Sequence, residues 1–172
     1  NVTTDAHREG MHCKNHRATT HCNVVVSGGT LTVKAGSDGI QATTTAVIDG
    51  GTLDITAAEG IEATNVTVNG GDITIAASDD GINASQKSSS QKVAVTVNGG
   101  NLKITMGQGD TDGIDSNGDL YITGGTVDIT GQSTCDYDGT AQKTGGTLIV
   151  NGTETDTIPS QTFGGPGGGM GG

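Results

Sequence analysis

Ala76-Ala77-Ser78-Asp79-Asp80-Gly81-Ile82-Asn83-Ala84 is a corner followed by a short apolar step, and it recurs in degenerate form along the chain. Upstream stand Ala35-Gly36-Ser37-Asp38-Gly39-Ile40-Gln41-Ala42 and Ala57-Ala58-Glu59-Gly60-Ile61-Glu62-Ala63. Downstream stand Asp110-Thr111-Asp112-Gly113-Ile114-Asp115-Ser116 and a weaker echo, Asp136-Tyr137-Asp138-Gly139. Each copy reads acid, glycine, isoleucine, polar, small. Gly39, Gly60 and Gly81 fall 21 residues apart. A second marker keeps step: the glycine pairs Gly28-Gly29, Gly50-Gly51, Gly70-Gly71, Gly99-Gly100, Gly124-Gly125 and Gly145-Gly146. Two markers on one period define a repeat architecture.

The segments between the markers are strands. Thr30-Leu31-Thr32-Val33 alternates polar and apolar, as do Thr52-Leu53-Asp54-Ile55, Asp72-Ile73-Thr74-Ile75, Asn101-Leu102-Lys103-Ile104, Thr126-Val127-Asp128-Ile129 and Thr147-Leu148-Ile149-Val150. That is the two-residue period of a half-buried strand. The acid-Gly-Ile step adds a short second strand. A third precedes the next glycine pair, as in Asn65-Val66-Thr67-Val68-Asn69 and Asp119-Leu120-Tyr121-Ile122-Thr123. Three short strands per period make one coil of an all-β, single-stranded parallel β-helix (a β-solenoid), with roughly seven coils of about 21 residues over residues 1–158. Coils stack about 4.8 Å apart, so equivalent side chains lie over one another and small aliphatics form interior ladders. Glycines supply the positive φ of tight corners.

Composition fits this reading and excludes others. The 172 residues include 31 Gly, no Trp, one Phe and two Tyr, so the core is built from Val, Ile, Leu and Ala. A net charge of −11 argues against nucleic acid, whose phosphates need clustered Lys and Arg, and fits an extracellular setting or a cation-binding protein. No apolar stretch has the length of a membrane span, and no signal peptide is visible. A chain beginning at Asn1 is expected to be processed or excised from a longer one.

The period is interrupted twice. Setting Glu9-Gly10-Met11 on Asp38-Gly39-Ile40 places Asn1 where Thr30 lies, so the first coil is incomplete. An insertion at residues 12–22 follows, rich in His and bounded by Cys13 and Cys22. Ser85-Gln86-Lys87-Ser88-Ser89-Ser90-Gln91-Lys92 is the second, an expected exposed loop that stretches the Gly81–Gly113 spacing to 32 residues. Residues 159–172 form a Gly-rich C-terminal tail that cannot build a core. Of three cysteines, Cys13 and Cys22 are the economical disulfide pair, which leaves Cys135 either buried and inert or available to cross-link subunits. The same stretch, with His7, His12, His16 and His21, could instead offer zinc ligands.

The acidic corners carry the chemistry. Asp38, Glu59, Asp79, Asp80, Asp110, Asp112, Asp115, Asp136 and Asp138 should stack along one edge or two. Anions near 5 Å apart repel unless a cation or hydrogen bond intervenes. Ca²⁺ suits such oxygen-rich sites; alternatively each Asp caps its own turn. Outward Thr columns raise ice binding, but Asp54, Asp72, Lys103 and Asp128 interrupt them. No nucleophile or paired-carboxylate catalytic motif is assignable. A β-eliminating polysaccharide lyase would want a base beside calcium, for which Lys87 and Lys92 are placed.

Val68-Asn69-Gly70-Gly71-Asp72-Ile73-Thr74-Ile75, Glu59-Gly60-Ile61-Glu62-Ala63, Ser78-Asp79-Asp80-Gly81-Ile82-Asn83-Ala84, Asp112-Gly113-Ile114-Asp115-Ser116-Asn117-Gly118 and Asp136-Tyr137-Asp138-Gly139-Thr140 occur in that order. Together with Gly164-Gly165-Pro166-Gly167-Gly168-Gly169-Met170, they resemble the C-terminal part of secreted carbohydrate-binding β-helix proteins that bind cellulose and acidic sugars. The resemblance implies a right-handed parallel β-helix similar to pectate lyases, with bound calcium carried among Asp79, Asp80, Asp112 and Asp115, and sugar binding without catalysis. The 12–22 insertion departs from the family pattern, and earlier coils are missing. The expected partner is an acidic polysaccharide bridged through Ca²⁺, because aromatic platforms for neutral glycans are scarce. The alternative is a structural subunit self-associating head-to-tail into an extracellular filament through open β-helix ends and the tail.

Overall fold

Alternating apolar and β-branched residues make strands wherever one face can be buried, and here each strand is buried by its equivalents in neighbouring repeats. The computed structural model describes residues 1–14, 22–109 and 111–159. Expectations for Asp110, for most of the 12–22 insertion including His16 and His21, and for the tail beyond Pro159 lie outside the described residues.

Among the described residues there are twenty strands in three sheets, and no helix. The long sheet contains β1 (Val2–Ala6), β4 (Thr30–Ala35), β7 (Thr52–Ala57), β10 (Asp72–Ala77), β13 (Asn101–Met106), β16 (Thr126–Thr130) and β19 (Thr147–Val150), all parallel. Its last member, β20 (Thr153–Thr155), pairs antiparallel with β19. The corner sheet contains β2 (Met11–Cys13), β5 (Asp38–Ala42), β8 (Glu59–Ala63), β11 (Asp80–Ala84), β14 (Asp112–Ser116) and β17 (Ser133–Tyr137). The third contains β3 (Asn23–Val26), β6 (Thr45–Ile48), β9 (Asn65–Val68), β12 (Ala94–Val97), β15 (Asp119–Ile122) and β18 (Ala141–Lys143). Each sheet takes every third strand, so after three strands the chain returns to the same sheet one position along. The class is all-β with parallel sheets, in an order compatible with a solenoid.

Register makes the interior. Leu31, Leu53, Ile73, Leu102, Val127 and Leu148 pair in sequence across the long sheet. Met11, Ile40, Ile61, Ile82, Ile114 and Cys135 do so across the corner sheet, and Val26, Ile48, Val68, Val97 and Ile122 across the third. These ladders form one buried cluster. Val2 pairs with Leu31, which sets Asn1 opposite Thr30 as the period predicts. Polar ladders stack as well: Asn69 donates to Asp49 at 2.8 Å, Asn98 to Asn69 at 2.9 Å, and Thr123 to Asn98 at 2.6 Å.

The two kinds of corner glycine have different reasons. The second glycine of each pair has positive φ, as expected: Gly51 at 101° and Gly71 at 96° are examples. The glycine after each corner acid does not. Gly39, Gly60, Gly81 and Gly113 are required by space, because a Cβ at any of them would enter a carbonyl of the next repeat and an isoleucine side chain.

The 85–92 insertion is anchored rather than simply exposed. Ser88 is buried, and the Thr64 hydroxyl accepts from the backbone N–H groups of Lys87 (3.0 Å) and Ser88 (2.9 Å). Cys13 and Cys22 form a disulfide, which removes both sulfurs from the zinc reading. Cys135 is a free, fully buried thiol, and burial, then the Asp112 carboxylate, pushes it up to about 12. It is therefore inert and unavailable for cross-links. A thiol reagent added to native protein should titrate no cysteine, and one after denaturation; native reactivity would contradict the packing.

Candidate functional site

The corner sheet leaves two positions of each repeat on its outer surface. In β5 both Gly39 and Ile40 face the interior, so Asp38 and Gln41, three residues apart, lie on the opposite face, where neighbouring groups cover Asp38 almost fully and Gln41 in part. Parallel register then stacks them on their equivalents. One column holds Asp38, Glu59, Asp80, Asp112 and Ser133; the other holds His12, Gln41, Glu62, Asn83, Asp115 and Asp136. Side by side they make a ladder two groups wide.

Hydrogen bonds run within this ladder more than to the acids' own turns. Gln41 Nε2 donates to Asp38 and to Glu62 of the next repeat. Asn83 Nδ2 donates to Glu59 and Asp80, both at 3.3 Å. The Ser133 hydroxyl donates to Asp112, and the Asp112 N–H donates to Asp80 at 3.3 Å. Two acids also accept from their own turns: Asp136 from the Tyr137 N–H at 2.9 Å and Asp38 from the Ser37 hydroxyl at 3.1 Å. Interleaved amides thus supply donors between carboxylates that would otherwise face one another.

The donors do not neutralise the charge. Burial, then Glu62 and Asp38, raises the Glu59 carboxyl to about 7. Burial, then Asp115, raises Asp80 to about 7 against the opposing Asp112 N–H. Burial, then Asp112 and Asp136, raises Asp115 to about 6, and burial with Glu62 raises Asp38. Lys87, reaching back from the insertion, forms an ion pair with the buried Glu62. Lys92 is turned away to the third sheet, where it pairs with Asp119; that carboxylate also accepts from the Tyr121 hydroxyl at 2.8 Å.

Asp38, Glu59 and Glu62 each bring a carboxylate oxygen within 4.8 Å of the others. Such a donor set, oxygen only and anionic, suits a hard divalent cation. The Asn83 Oδ1 atom, one coil along the ladder, is buried and has no hydrogen-bond donor. The buried oxygen marks an unmet demand in the same ladder, and the three carboxylates by themselves fit a cation.

Of the sequence-predicted acids, Asp38, Glu59, Asp80 and Asp112 share one column, and Asp115 and Asp136 lie in the other. Asp79 and Asp138 are exposed residues flanking β11 and β17, outside the paired columns, and Asp110 lies outside the described residues. Glu62, Gln41 and Asn83 were missed. All three occupy the polar place in acid-Gly-Ile-polar, so position within the repeat could have found them.

Parallel sheets with an edge of stacked carboxylates define a class: a repetitive all-β protein with a polyanionic face. A family model described as carbohydrate-binding domain-containing protein matches residues 1–111, and in an overlapping second match residues 57–156. The chain belongs to this family. No curated protein and no solved structure matches it. No helix among the described residues is long and apolar enough to cross a membrane.

Proposed function

We propose that this chain is a secreted, right-handed parallel β-helix that binds an acidic polysaccharide through calcium held on its carboxylate ladder, without catalysing its cleavage. Family membership supports the carbohydrate. The observation that carries the cation is the meeting of Asp38, Glu59 and Glu62, whose carboxylate oxygens lie within 4.8 Å of one another. Calcium at this position would supply open coordination places for sugar carboxylate and hydroxyl oxygens. The protein's own part is to hold its carboxylates in fixed register and to shield them on one side by the core.

Among the described residues Tyr121 and Tyr137 are the only aromatic side chains, too few for an extended stacking platform. The Tyr121 hydroxyl is engaged by Asp119, and Tyr137 packs against the core. Handedness follows from the strong preference of parallel crossovers for the right-handed turn. Residues 1–158 are read as one β-helix similar to pectate lyases, and 159–172 as its tail. The Cys13–Cys22 disulfide supports an oxidising, extracellular setting. The filament reading depends on the chain's ends and on the tail, and no contact among the described residues bears on it.

Retention on immobilised polygalacturonate tests the proposal. Protein should be held in millimolar-range Ca²⁺ and released by EDTA; retention unchanged by the chelator would reject the mechanism.

A further inference from the structure

A cleft of about 180 Å³ beside the ladder is lined by Lys14, Gln41, Thr43 and Lys87. Its charge runs against that of the molecule: the chain has only 8 Lys and Arg against 19 Asp and Glu, yet two lysines line this one small hollow. Both come from places where the repeat is broken. Lys14 follows Cys13, which is tied to Cys22 by the disulfide and to β5's end by the Thr43 N–H donating to its carbonyl at 3.0 Å. Lys87 has its backbone pinned by Thr64. The two insertions therefore bring two lysines to one hollow that no regular repeat would supply.

The spot adjoins the cation candidate. Gln41 is common to both, since its amide donates to Asp38 and Glu62 while its side chain lines the cleft. Lys87 likewise spans them, with its ammonium on Glu62. We infer that this cleft is the subsite for the carboxylate of one uronate residue, gripped by Lys14 and Lys87 with Gln41 and Thr43 facing its hydroxyls. The inference rests on the acidic-polysaccharide reading above and locates it.

Size and charge select the ligand. The cleft is smaller than the roughly 300–1,000 Å³ of drug-sized sites, so it takes one unit of a polymer. Two ammonium groups confer charge-assisted hydrogen bonds on a carboxylate and none of that strength on a neutral ring. An acidic glycan approaching a strongly negative protein needs such a positive landing point. Lys87 would exchange part of its contact with Glu62 for the incoming carboxylate as the ladder's own charge is balanced by a divalent ion.

Calorimetric titration of trigalacturonate into the full chain, at saturating Ca²⁺, tests the assignment, with Ca²⁺ titrated separately into each variant. Lys14→Met should weaken trigalacturonate binding by about tenfold or more, the loss of one charge-assisted bond. Its Ca²⁺ affinity and thermal midpoint should stay at wild-type values, and Lys14→Arg should restore sugar binding. Lys87→Met should weaken the sugar likewise, without weakening Ca²⁺ binding. Neutral trigalactose and free sulfate should give no saturable heat; sulfate binding as tightly as trigalacturonate would make this a general anion site and overturn the assignment. Undiminished trigalacturonate binding by Lys14→Met would overturn the subsite while leaving the polysaccharide reading intact. A wild-type chain that ignores trigalacturonate would overturn both.

Discussion

Gly60→Ala yields no cooperatively folded protein. A Cβ at Gly60 would sit 2.4 Å from the Gly81 carbonyl oxygen and 2.5 Å from Ile75 Cγ2. The carbonyl belongs to the backbone of the next repeat, and Ile75 is fully buried. Overpacking costs about 1–3 kcal/mol where side chains can shift, and more where backbone blocks the way. Against a total stability of about 5–15 kcal/mol, opening the coil spacing at its centre is enough to lose the fold. Gly28→Ala is the control, for nothing lies within 4 Å of its Cβ and its φ is not positive. Circular dichroism melting should show a wild-type transition for Gly28→Ala and none for Gly60→Ala. A Gly60→Ala protein that melts like wild type would mean that the corners do not stack as described.

The second large effect is on pH dependence. Glu59 moves from 4.5 to about 7, Asp80 from 3.8 to about 7, and Asp115 from 3.8 to about 6. Raised carboxyl values mean that the folded state holds protons the unfolded state has already released. Stability therefore falls as pH rises between the two sets of values, about pH 4 to 7, and the loss is complete above that window. In EDTA the melting midpoint should decline from pH 5 to pH 8. Asp119, lowered to about 2 chiefly by the Lys92 hydrogen bond, acts in the other sense, but only below about pH 4. Calcium at about a hundred times its dissociation constant adds about 2.7 kcal/mol, which should raise the pH 8 midpoint by about 5–10 °C. A flat pH profile in chelator, or a midpoint indifferent to calcium, would contradict the ladder.

Much of this was legible in the residues. Leu53-Asp54-Ile55 and its equivalents alternate because one face is buried, so strands and register follow from the period alone. The pairing of Cys13 with Cys22 follows from proximity, and the stacking of Asp80 on Asp112 from the shared corner. What the sequence hid depends on three-dimensional detail. Gly60 is a glycine because of a carbonyl 21 residues further on, which no local turn rule expresses. Glu62 does not look like a corner acid in the sequence because it lies three residues past Glu59, yet it shares the same face of the sheet. The placement of Lys87 on Glu62 was unreadable because the insertion obeys no period; its path is fixed by hydrogen bonds such as those to Thr64.

The carboxylate ladder as a cation site is tested most directly by titrating Ca²⁺ calorimetrically into the wild-type chain, Glu59→Gln and Asp54→Asn. Glu59 stands in the cluster with Asp38 and Glu62, whereas Asp54 is an exposed acid on the long sheet. The account predicts saturable binding to wild type, unchanged in Asp54→Asn and weakened by about tenfold or more in Glu59→Gln. Absence of saturable binding, or equal affinities for all three proteins, would contradict it.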